Sequence, residues 1–188
     1  MTLDPPSRLK QEIRSYNDFV SEAEIILRPD TNVDYEIFCL GYNDAGTLKR
    51  ASGDILADAK KSVSIAQKLF PRAKIVILEV LNTFNSQQFD QTIEEINRGL
   101  RSITQEVPQS VLSTHPLLTP NDKDNIFHPD GTHLNKRGQL QLASDLRRAS
   151  LGLPPLKTLA RSNNYRNNDN RQGQGRQRRT SSSGDKGR

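Results

Sequence analysis

Residues 73–80 read AKIVILEV, and this run decides the fold. Aliphatic and β-branched residues follow one another without alternation, so both faces of an extended chain would be buried. That is the pattern of a parallel strand covered by helices on both sides. The flanks agree. On the amino-terminal side, residues 52–70 place Ile55, Ala59, Val63, Ala66 and Phe70 on one face of a helix that Pro71 stops. On the carboxyl side, Phe89, Ile93, Ile96, Leu100 and Ile103 recur at spacings of 4, 3, 4 and 3, and that helix ends before Pro108.

Further out, VDYEIFCLG at residues 33–41 reads as a strand of about six to eight residues ended by Gly41, and SVLST at 110–114 as a short third strand. A first helix is expected from DPPSRLKQEIRSYNDFV at 4–20, capped by Ser7, with Leu9, Ile13, Tyr16 and Val20 as its apolar stripe. A last helix is expected after a cap at Asn135, carrying Leu142, Leu146 and Ala149 and closing at Gly152. Strands alternating with helices predict an α/β fold: an open parallel sheet with helices on both faces. No internal repeat is present.

The charge is unevenly spread. Residues 157–188 hold nine Lys or Arg against two Asp, a net +7, while the rest of the chain sums to −2. From about residue 160 the composition is Asn, Arg, Gln, Gly and Ser, which cannot bury enough apolar surface to fold. The expected organisation is therefore a domain at residues 7–152 and a disordered basic tail at 153–188. Tyr165 among arginines and the Arg-Gly-Gln steps favour nucleic acid as the tail's partner. The single cysteine, Cys39, has no intrachain partner and is expected to be a small buried hydrophobe. No apolar run is long enough to span a bilayer and no signal segment opens the chain, so no membrane partner is expected. An intracellular place, cytoplasmic or nuclear, is expected.

Two loops carry chemistry, both after predicted strands, where open α/β sheets form their sites. One is LGYNDAG at 40–46; the other is FHPDGTH at 127–133. A histidine oriented by a carboxylate is a general base, and an Asn amide can hold a developing oxyanion. Other readings stay open. Pro129-Asp130-Gly131 is a competent turn by itself, with a capping contact in place of a dyad. His128, Asp130 and His133 could ligate a metal, although their spacing fits no standard zinc pattern. His115, before Pro116, reads as structural.

The pair of motifs, GYND and about ninety residues later DGTHLN with a following Gly and Leu, resembles the SGNH (GDSL-type) hydrolases. The element order of residues 7–152 fits that family, whose sheet is flavodoxin-like. The resemblance implies an ester substrate and no cofactor. It casts His133 as catalytic base, Asp130 as its orienting acid and Asn43 as an oxyanion-hole donor. It also exposes a gap. The family's Gly-Asp-Ser block and its second-block Gly have no counterpart in residues 1–188, so the chain resembles a member incomplete at its amino terminus. Ser52 reads as a helix cap and Ser113 lies within a strand, and neither sits on the sharp turn that exposes a nucleophile. An esterase-like domain without turnover is the first expectation. The alternative is a non-catalytic nucleic-acid-binding protein, since similar domains occur in retroelement proteins. The loss of a central strand would leave the 33–41 strand as an open edge, and self-association through it is expected.

Overall fold

Ser15 starts the first element. Its Oγ accepts the Asp18 N–H at 3.0 Å and its carbonyl that of Phe19 at 3.2 Å, which is an N-cap on helix α1, Tyr16–Ile26. The computed structural model of the protein describes residues 13–26, 32–122 and 126–156. The expected cap Ser7, the expected stripe residue Leu9 and the tail from 157 onward lie outside the described residues. Residues 13–15 do not continue a helix, so the expectation of one running through them is corrected. The buried stripe is Tyr16, Phe19 and Ala23, with Val20 only partly covered.

The remaining order is strand β1 (Tyr35–Phe38), helix α2 (Tyr42–Gly46), helix α3 (Ser52–Leu69), strand β2 (Lys74–Leu78), a 3-10 turn (Phe84–Phe89), helix α4 (Asp90–Glu106), strand β3 (Ser110–Ser113) and helix α5 (Lys136–Ser150). The strands form one parallel sheet in the order β1-β2-β3, in register Phe38↔Ile77 and Ile77↔Leu112. β1 has four residues, fewer than its sequence suggested. The α/β expectation holds, with β2 at the centre: Ile75, Val76, Ile77 and Leu78 are all buried.

Helices α1, α3 and α4 pack side by side on one face, where Phe38, Ile75 and Ile77 join Ile55, Val63, Ile93, Ile96 and Leu100 in the main core. Each such side chain, fully buried, contributes about 1.5–3 kcal/mol. Helix α5 covers the other face over β2 and β3. Its buried residues are Gly138, Gln141, Asp145 and Ala149, so the expected Leu142–Leu146 stripe is corrected to a partly polar one. Gln141 Nε2 donates to Asp145 Oδ1 at 3.0 Å beneath the helix, and burial pushes the Asp145 carboxyl above its ordinary range.

Two further expectations are corrected. Cys39 is exposed: it lies past the end of β1, on the side that α5 leaves open. Ser52 is not a cap. Ala51 occupies that position without a side-chain bond, and Ser52 Oγ donates across to Glu95 Oε2 at 2.6 Å. Among the described residues no helix is long and apolar enough to cross a membrane.

Candidate active site

Three loops leave the carboxyl ends of the three strands, and side-chain hydrogen bonds stitch them together. The first begins at Gly41, whose φ of 107° lies in the left-handed region. A Cβ there would stand 2.7 Å from Val80 Cγ2, so glycine is required twice over. The turn feeds α2, and Asp44 is drawn wholly inside. Its Oδ2 accepts the Tyr16 N–H at 3.0 Å and its Oδ1 the Arg50 guanidinium at 2.8 Å. Arg50 also reaches Asp58 at 2.6 Å. These two partners hold the carboxylate oxygens, and the loop is pinned to the start of α1.

Asn43 stands on that turn, half-buried. Its Nδ2 donates to the Arg14 carbonyl at 3.0 Å. One N–H of the amide is thereby fixed, and the side chain is held against the backbone just ahead of α1. An amide carries a second N–H, which is the group an oxyanion would need.

The loop after β3 is a small hairpin. Phe127 and Leu134 form an antiparallel bridge, His128 N–H donates to the His133 carbonyl at 2.7 Å, and Asn135 Nδ2 donates to the Phe127 carbonyl at 3.1 Å. Asn135 then caps α5 as its sequence position predicts, accepting the Arg137 and Gly138 N–H groups at 2.9 and 3.0 Å. At the tip, Asp130 Oδ1 accepts the N–H groups of Thr132 and His133, both at 2.9 Å. Its Oδ2 meets His133 Nδ1 at 2.8 Å. Those two backbone donors, followed by the imidazole, hold the Asp130 carboxyl well below the usual carboxylate range. An ionised carboxylate can only accept, so neutral His133 carries its proton on Nδ1 and leaves Nε2 with a free lone pair. The imidazole is 80% exposed and Asp130 44%. The second histidine, His128, stays 3.6 Å from the same carboxylate oxygen.

The middle loop, after β2, joins the other two. Tyr42 hydroxyl and Thr83 Oγ1 lie 3.0 Å apart, tying it to the GYND turn. Asn85 Nδ2 donates to the Asp130 carbonyl at 2.6 Å and to Thr132 Oγ1 at 2.9 Å, and Phe84 N–H donates to the Gly131 carbonyl at 3.0 Å. Thr83 and Ser86 form a reciprocal cap on the 3-10 turn. Sequence reasoning missed Thr83 and Asn85. Their signal was LNTFNSQQF, a polar run at the carboxyl end of the most buried strand.

The remaining candidates fall elsewhere. Ser113 is fully buried and its Oγ has no hydrogen-bond partner, and Ser52 is engaged with Glu95; neither bonds to His133. His115 is buried with Nε2 2.8 Å from the Glu79 carbonyl, the structural place expected of it. Among the described residues no group of three His, Cys, Asp or Glu side chains is arranged to hold a metal. A cavity of about 320 Å³ between the ends of β2 and β3 is lined by Asn82, Asn97, Arg101, His115 and Leu118, among others, and includes neither Asn43 nor His133.

No family model matches the sequence, and no curated protein sequence matches it. Solved structures do. A carbohydrate esterase family 3 protein from Talaromyces cellulolyticus aligns over 76% of this chain and 70% of its own, at 20% identity and a TM-score of 0.57. A mutant acetyl esterase with an acetate ion aligns over 71% and 64%, at 20% identity and 0.56. A protein described as a platelet activating factor from Streptococcus pneumonia aligns over 72% and 68%, at 16% identity and 0.57. At these identities the likeness is one of fold, and the fold is that of the SGNH hydrolases. The chain spans 64% to 70% of the length of these three structures.

Proposed function

We propose that residues 7–152 are an esterase-like domain of SGNH type, in which His133 is the general base, Asp130 orients it and Asn43 is an oxyanion donor. The observation that carries this reading is the 2.8 Å contact of Asp130 Oδ2 with His133 Nδ1 at the carboxyl end of a parallel sheet. Esterases with the same fold support it. In the reaction, His133 Nε2 takes the proton of an attacking hydroxyl as its oxygen bonds to the ester carbonyl carbon. The carbonyl π electrons move to oxygen, where the Asn43 amide holds them. His133 then returns the proton to the departing alkoxide as the C–O bond breaks.

Residues 1–188 contain no Gly-Asp-Ser block, and on this reading they are catalytically silent. Base and oxyanion donor without a nucleophile assist water far less than an intact triad does. The test is p-nitrophenyl acetate hydrolysis together with fluorophosphonate labelling. The 1–188 chain is expected to match its His133→Ala variant in rate and to take up no label. A serine adduct, or an acyl-enzyme burst, would overturn the silence and locate a nucleophile.

The second reading is favoured by the +7 charge of residues 157–188: the tail binds single-stranded nucleic acid. Phosphate neutralisation releases counterions, so affinity should fall steeply as salt rises. Filter binding should lose the interaction when 157–188 are deleted; equal retention by residues 1–156 would contradict it.

A further inference from the structure

Strand β1 is terminal in the sheet: among the described residues it pairs with β2 alone. The Asp34 carbonyl accepts the Lys74 N–H at 2.9 Å, so Asp34, Glu36 and Phe38 turn their backbone groups toward β2. The alternate residues Tyr35, Ile37 and Cys39 turn theirs outward. The same three residues project side chains on the face that α5 does not reach. Tyr35 and Ile37 are each 44% exposed, and Cys39 is exposed. An open backbone edge and an uncovered apolar row thus coincide on one short strand with no proline.

We propose that this edge is a homodimer interface: two copies join β1 to β1 antiparallel, about a two-fold axis through Ile37, giving a continuous six-stranded sheet. The charges select both the occupant and the register. Centred on Ile37, the outward groups of Ile37 face Ile37 of the second copy, and those of Tyr35 face Cys39. Three residues per copy then find backbone partners, and the apolar row runs unbroken across the axis. Glu36 comes opposite Phe38 of the second copy and Asp34 opposite Leu40, so neither acid meets an acid. The neighbouring registers are worse. Centring on Glu36 sets two glutamates face to face, and centring on Tyr35 sets Asp34 against Glu36; like charges directly opposite are unfavourable. Centring on Phe38 carries the ladder into Gly41, whose φ of 107° is not extended. The surface self-complements in one arrangement, which is what an isologous interface requires. The interface is independent of the ester reading and stands or falls separately from it.

The experiment uses the full 1–188 chain. Sedimentation velocity is expected to give a dimer, and Ile37→Lys, which sets two ammonium groups against each other, should raise its Kd at least about tenfold. Ile37 is half-exposed, so that variant is expected to keep the wild-type circular dichroism and melting. A second variant reads the register directly. Ile37→Cys in a Cys39→Ser background should oxidise to a covalent dimer, because facing hydrogen-bonded residues in an antiparallel pair lie about 5.5 Å apart at Cα, within disulfide reach. Leu48→Cys, at another exposed apolar site, should not cross-link in the same background. A monomer at about 100 µM, a concentration at which even a Kd near 10 µM would leave most chains paired, would overturn the proposal. So would a dimer indifferent to Ile37→Lys, or an Ile37→Cys chain that cross-links no better than the Leu48→Cys control.

Discussion

Asp44 and Asp130 are the two aspartates of the motif loops, and they serve opposite ends. Both sit just past a parallel strand or its hairpin, and both accept backbone N–H groups. Asp44 is wholly buried, and its partners are the Tyr16 N–H and the Arg50 guanidinium. Asp130 is 44% exposed, and its partners are the turn it belongs to and one imidazole. The first carboxylate ties two helices together; the second presents a histidine to solvent. The same side chain accepting the same kind of bond is a fastening when buried and a reagent-holder when open, and the difference is one of surroundings.

The largest effect should come from breaking the buried member. Asp44→Ala leaves the Tyr16 N–H without an acceptor and Arg50 with Asp58 alone, a loss of about 3 kcal/mol by the rule for disrupted buried pairs. Urea unfolding of the two chains would measure it. Asp130→Ala should cost a small fraction of that, and a cost equal to that of Asp44→Ala would erase the contrast.

The base of the second loop is a different matter from its tip. A Cβ on Gly138 would stand 2.3 Å from the Ile126 carbonyl and 3.0 Å from Leu134 Cδ2, so α5 can approach the hairpin this closely only through glycine. Gly138→Ala should cost about 2 kcal/mol by forcing backbone apart, again read by urea unfolding. A neutral result would mean that the hairpin floats on α5 and is not seated by it.

The smallest effect is one of pH. The Asp130 carboxyl is held below its ordinary range in the folded chain, so its ionised form favours the native state. That contribution is complete above the unfolded pKa of about 3.9 and fades as pH falls further toward the lowered folded value. Wild type should therefore lose its margin over Asp130→Asn when unfolding is compared at pH 6 and below pH 3. A margin that grows on acidification has the wrong sign for this account.

Much of this was legible in the sequence, for reasons that name its limits. The unbroken run at Ile75–Leu78 announces a strand buried on both faces, and the stripe Ile93, Ile96, Leu100 and Ile103 announces α4, because burial leaves a period. Asn135 was read as a cap and is one. What escaped has no period. Cys39 was placed inside because apolar residues surround it, yet which side of β1 goes uncovered depends on how far α5 extends across the sheet. Ser15 displaced Ser7 as the described cap by a local hydrogen bond that competes with helix continuation. Within the site, Asp130 and His133 are three residues apart and their contact is nearly dictated by the turn. Asn85 is 45 residues from Asp130, and only the assembled sheet brings the two loops together.

The central claim is that Asp130 sets His133 as a base with its Nε2 lone pair free. Long-range ¹⁵N–¹H correlation spectra of the 1–188 chain, recorded where His133 is neutral, report which ring nitrogen holds the proton. The account predicts the Nδ1-protonated tautomer for His133, lost in Asp130→Asn, because the proton follows the hydrogen bond that the other partner makes. A predominantly Nε2-protonated ring in the wild-type chain, unchanged by Asp130→Asn, would reduce the loop to a turn and contradict the claim.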